Sequence, residues 1–96
     1  MNARQQALSL ILKRLPGNDA STQRARMLAA MCELGNITTF EAMRFLDVFD
    51  PRPRIHELRH SHGYSITTAM RAEQTESGIL HRVGVYFLSS AGGGTC

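Results

Sequence analysis

Ninety-six residues allow one small domain, and a chain this short seldom encloses a deep substrate pocket of its own. With 43% hydrophobic and 20% charged residues it can bury a core, which excludes a disordered polymer. The longest apolar-rich run, Ala7 to Leu12, is far short of a membrane span, and Met1 to Leu15 ends in Lys13 and Arg14 without a small-residue cleavage site, so a cytoplasmic protein is expected.

Eleven basic residues against eight acidic ones give a net charge of +3, and ten of the eleven are Arg. Arg is the side chain suited to bidentate contacts with phosphate and guanine. The two cysteines, Cys32 and Cys96, are too few for a disulfide framework. Cys32 falls in an apolar helical pattern and reads as a small buried hydrophobe, with no bridge to Cys96 expected.

In chain order, Leu8, Ile11, Leu12 and Leu15 make a single stripe on a first helix over 3–15, which Pro16-Gly17-Asn18 stops. A second helix is predicted from Ser21, as N-cap, to Leu34, with Gly35 as its left-handed C-terminal residue. Its inward stripe is Met27, Leu28, Met31 and Leu34, flanked by Arg24 and Arg26. Thr38 followed by Glu41 is a capping box, with Ile37 placed to staple onto Ala42. A short third helix therefore runs from Thr39 to about Asp47, burying Ala42, Met43 and Leu46. Asp50-Pro51 reads as an N-cap with proline at the first helical position. The fourth helix runs from there to about His62, stopped by Gly63 and anchored inward by Ile55 and Leu58.

After Gly63 the period changes to two. Tyr64, Ile66, Thr68 and Met70 alternate with polar or small residues, and so do Val83, Val85 and Phe87 with Arg82, Gly84 and Tyr86. This predicts a β-hairpin with a long tip over Arg71–Gly78. The stretch 89–96, with three consecutive glycines, reads as a flexible tail. The domain plan is an N-terminal amphipathic helix (1–17), a main domain (20–88) and that tail.

Two short helices joined by a tight break, with a hairpin directly after the second, form a winged helix-turn-helix: mainly α with a C-terminal β-hairpin. With Ile55 and Leu58 inward, the helix 51–62 turns Pro53, His56, Glu57 and His60 outward, flanked by Arg54 and Ser61 on one side and Arg52 and Arg59 on the other. A helix fits the DNA major groove and its N-terminus favours phosphate. Arg52 and Arg54 are therefore assigned to phosphate or base contact, and His56, Arg59 and His60 to base edges. Thr38 and Thr39 are candidate hydroxyl and amide donors to a phosphate, although capping by itself accounts for Thr38. The wing carries Arg71 and Arg82 but also Glu73 and Glu76, so no minor-groove role is expected of it.

His56 and His60 have the spacing of a metal clamp, yet no cysteine or carboxylate completes a set, and no metal or cofactor is expected. There is no phosphate-cradling glycine loop and no nucleophile–base spacing, so no enzyme activity is expected; a His56/His60 metalloenzyme is the remote alternative.

The segments Gln23-Arg24-Ala25-Arg26-Met27-Leu28, Gly35-Asn36-Ile37-Thr38-Thr39-Phe40-Glu41-Ala42, Arg54-Ile55-His56-Glu57-Leu58-Arg59 and Gly63-Tyr64-Ser65-Ile66 resemble a family of small helix-turn-helix proteins frequent in prophages and other mobile elements. The "RIxELR" block with its following glycine is the most specific part, and the likeness spans Gln23 to Leu88. The first helix lies outside it, and the Asp50-Pro51-Arg52-Pro53 lead-in departs from it. The resemblance implies DNA binding, by analogy of fold, in the bacterial cytoplasm or nucleoid.

The resulting expectation is a sequence-specific double-stranded DNA-binding protein, a phage or mobile-element transcriptional regulator or an excision-type architectural factor. The first helix packs on its own domain or, as the alternative, pairs two copies into a homodimer. The rival class is a protein–protein interaction module, for example a phage-encoded inhibitor of a host complex. A continuous positive face through Arg24, Arg26, Arg52, Arg54 and Arg59 favours DNA. A face broken by Glu33, Asp47 or Glu57 favours protein, and guanidinium groups of this helix covered by the chain's own backbone or locked onto neighbouring carboxylates would overturn the groove-facing reading.

Overall fold

The computed structural model describes residues 1–89. Apart from Ser89, the expected 89–96 tail lies outside the described residues. The elements are α1 (Ala3–Arg14), α2 (Ala20–Leu34), β1 (Ile37–Thr38), α3 (Thr39–Phe45), α4 (Pro51–His60), β2 (Ile66–Gln74) and β3 (Leu80–Leu88). The three strands form one antiparallel sheet in the order β1-β3-β2.

Each helix starts where a side chain accepts the amide hydrogens that have no helical partner. Asn2 and Gln5 form a reciprocal capping box on α1. On α2 the N-cap is Asp19 rather than Ser21: its carboxylate accepts from the Thr22 backbone and, at 2.6 Å, from the Thr22 hydroxyl. A carboxylate is the stronger acceptor, so the helix begins earlier than expected. Gly35, at φ 88°, ends it as foreseen. The Thr38–Glu41 capping box is present on α3, and Asp50 followed by Pro51 opens α4.

The two-residue β1 was not foreseen. Ile37 and Thr38, read as a staple and a cap, also pair with Tyr86 and Val85, and this makes β3 the central strand. The hairpin is longer and its tip shorter than expected. Pairing runs from Ile66–Leu88 to Gln74–Leu80, so the polar stretch after Met70 continues as strand and only 75–79 turn. Beyond the helices that hairpin stands in solvent: of β2, only Ile66 is buried.

The core gathers Leu8, Ile11, Met27, Ala30, Met31, Ile37, Ala42, Leu46, Val48, Ile55 and Leu58 into one cluster. Ala42 and Leu46, four apart, share the inward face of α3, whereas Met43 is rotated off it and is 47% exposed, contrary to expectation. Leu8 and Ile11 are fully buried in this cluster, so the stripe proposed as a dimer seam is spent on its own domain. Arg4 fastens α1 further: it donates to both carboxylate oxygens of Glu41, at 2.6 and 3.0 Å, and to the Asn36 carbonyl at 2.9 Å.

Arg26, expected on the surface, is 2% exposed. Its guanidinium donates to the carbonyls of Leu15, Leu46 and Gly17, tying the end of α1 and the end of α3 to α2. Cys32 is half-buried where a buried residue was expected, and the expectation of no bridge to Cys96 lies outside the described residues. No helix of the described residues is long and apolar enough to cross a membrane.

Candidate nucleic-acid interface

Ile55 and Leu58 are buried as expected, 2% and 3% exposed, and fix which face of α4 looks outward. Arg52, Pro53, His56 and His60 stand exposed on that face, and the two imidazole rings lie 4.4 Å apart. The Arg52 side chain is 81% exposed; its nearest anion is Asp50, with 3.6 Å between Nε and Oδ1.

The other two guanidinium groups of α4 are held by the protein itself. Glu57 accepts from Arg24 of α2 and from Arg54, each at 2.9 Å, and Arg54 also reaches Gln23 at 3.5 Å. The Arg54 Nε lies 2.9 Å from Glu57 Oε1 but off the hydrogen-bonding axis, so the attraction there is Coulombic alone. The Arg24 hydrogen bond, then that from Arg54, outweighs desolvation and holds the Glu57 carboxyl below its ordinary range. Arg59 donates to the Ile66 carbonyl, at 3.0 and 2.7 Å, and to the Thr68 hydroxyl at 2.6 Å, pinning α4 to the root of the hairpin. Its charge meets no carboxylate there.

The threonines are structural. Thr38 is 2% exposed and its hydroxyl accepts from the Glu41 amide. The Thr39 hydroxyl is 3.3 Å from both the Gly84 carbonyl and the Tyr86 hydroxyl, under the hairpin. The continuous five-arginine face is thus not formed. Arg26 is buried, Arg24 and Arg54 converge on Glu57, and Arg59 is turned to the hairpin.

What the sequence did not reveal is a groove of about 390 Å³ between the start of α4 and the hairpin. Arg52 and Arg82 both line it, with Phe40, Met70, Gly84 and Tyr86 among the other walls. Arg82 is exposed. The glycine is what lets the hairpin come close: a Cβ on Gly84 would lie 3.0 Å from the Thr39 hydroxyl oxygen. A signal was present, since Arg82, Gly84 and Tyr86 alternate along one strand face, but only the β2–β3 register and the position of α4 show what that face meets. No group of three or more metal-ligating side chains occurs among the described residues.

A family model described as a winged helix-turn-helix domain matches residues 22–91. The chain belongs to that family. The match covers α2 through β3 and leaves out α1, which is the element the winged helix-turn-helix adds in this protein. No curated protein and no solved structure is similar enough to match. A winged helix-turn-helix is a DNA-binding fold, and a nucleic-acid partner is the one that the family suggests for the α4 face.

Proposed function

We propose that this winged helix-turn-helix protein binds double-stranded DNA sequence-specifically, laying the exposed face of α4 in the major groove. We place it in the bacterial cytoplasm or nucleoid, as a transcriptional regulator or excision-type architectural factor of a phage or mobile element. The observation that carries the reading is the outward face of α4: Arg52, His56 and His60 stand in solvent while its one carboxylate, Glu57, is folded against Arg24 and Arg54. Four guanidinium groups, those of Arg24, Arg52, Arg54 and Arg59, stand against three carboxylates, those of Asp47, Asp50 and Glu57. The region keeps a cationic excess even with its ion pairs made.

The roles then divide by exposure. Arg52 and Arg82, which line the same groove, suit a sugar–phosphate strand, with guanidinium groups for the phosphates, the wall carboxylate of Asp50 lying beside Arg52, and the exposed Met70 side chain for deoxyribose. His56 and His60 are the base-edge readers. Arg54 and Arg59 hold α4 in place and lend charge; Thr38 is set aside as a phosphate donor because it is buried with its amide on Glu41, and Thr39 because its hydroxyl donates under the hairpin.

Gel shifts against the DNA flanking the protein's own gene, over a range of salt, test this. Arg52→Ala and Arg82→Ala should each weaken binding and lower the salt slope by about one. Unchanged affinity and slope in both variants would remove the groove and the helix face from the reading. The broken arginine face favours a second reading, a protein–protein module such as a phage-encoded inhibitor of a host complex. Absence of duplex binding even at low salt would select it.

A further inference from the structure

The turn between α3 and α4 carries a side chain that neither the core nor the charge pattern uses. Phe49 is 88% exposed, whereas the other Phe and Tyr side chains among the described residues are all buried or half-buried. Its exposure is built in. The Val48 amide returns to the Ala42 carbonyl at 3.0 Å, Asp47 takes the left-handed conformation at φ 53°, and Val48 is fully buried. On the other side Asp50 caps α4 and the Pro51 ring, itself buried, fixes the first helical φ. Phe49 is therefore held outward, at the leading end of α4, between a buried anchor and a cap. Exposed Arg52 and Pro53 follow within one turn.

Its chemistry decides what it can meet. The ring carries no charge and no hydrogen-bond donor, so a phosphate is a poor partner for it. A base edge is a good one, and the apolar group that duplex DNA presents in the major groove is the 5-methyl of a pyrimidine. We propose that Phe49 reads a 5-methylpyrimidine, thymine or 5-methylcytosine, at the end of the site facing the start of α4. This rests on the DNA-binding reading above and adds to it the residue that sets one position of the sequence.

The test takes a duplex selected from a randomised pool by the full chain. Each thymine in turn is replaced by deoxyuridine, which removes only the methyl, and binding is measured for the wild type and for Phe49→Ala. At one position the loss of the methyl should weaken the wild type about fourfold, the scale of one buried methyl group, and leave Phe49→Ala unmoved. At that position a 5-methylcytosine–guanine pair should bind better than cytosine–guanine by a similar factor. Preference for thymine or for methylated cytosine then identifies the natural source of the methyl. Thermal melting of Phe49→Ala should match the wild type, since the ring touches no core. Wild-type binding that ignores every thymine-to-deoxyuridine change overturns the inference while leaving DNA binding intact. A methyl effect that persists in Phe49→Ala does the same. Failure of the wild type to bind any duplex overturns both.

Discussion

Arginine has at least three uses in this protein, and sequence position alone does not separate them. Arg52 is solvated, Arg54 is paired to Glu57, and Arg26 is buried with three backbone carbonyls and no carboxylate. A buried guanidinium whose donors are satisfied is tolerated; removing it orphans the acceptors it served. Arg26→Ala should therefore destabilise the fold by about 3 kcal/mol, read as a lower urea midpoint, without altering DNA affinity at temperatures where the variant is folded. Glu57→Gln should do the opposite. It weakens the hold on Arg24 and Arg54, so duplex affinity should rise and the salt slope steepen, and equal or weaker binding by that variant would show that those two arginines never face phosphate.

At the scale of elements, most caps and stripes were legible in the sequence because they are local, the exceptions being the Asp19 cap of α2 and the exposed Met43. The Thr38–Glu41 box, the Asp50-Pro51 start and the Gly35 stop depend on residues within one turn of one another, and all three stand as expected. Glu41 shows the limit. Its capping role is readable from spacing, but its pairing with Arg4, 37 positions away, is not. Burial alone would raise the Glu41 carboxyl; the hydrogen bonds from Arg4 and from the Thr38 amide outweigh it and leave the carboxyl below its ordinary range. A group depressed on folding stabilises fully above its unfolded value and loses that contribution as the pH falls through the folded one. Urea midpoints should therefore drop on the acid side of the usual carboxylate range, and Glu41→Gln should flatten that limb while lowering stability at neutral pH.

For the whole molecule, α1 is part of the domain that the family match leaves it out of. Leu8 and Ile11 are fully buried in the common core, and Arg4 and Arg26 stitch both ends of the helix to α2 and α3. Leu8→Ala should cost about 3 kcal/mol, with an unfolding midpoint that does not depend on protein concentration. A midpoint that rises with concentration would restore α1 to the role of a dimer element. The same assembly makes the groove, since Arg52 and Arg82, thirty positions apart in the chain, come to line it through the packing of α4 beside the hairpin.

The chain's pattern of apolar spacing, caps and the switch from helical to strand period settled by itself that this is a winged helix-turn-helix and which face of α4 looks outward. Those features are set by neighbours a few residues apart, where geometry follows directly from the residue types. Only the tertiary structure decided which cations stay available. A guanidinium on a six-bond side chain reaches whichever acceptor the fold brings near, and those acceptors, the Gly17 and Ile66 carbonyls and the Glu57 carboxylate among them, are presented by packing.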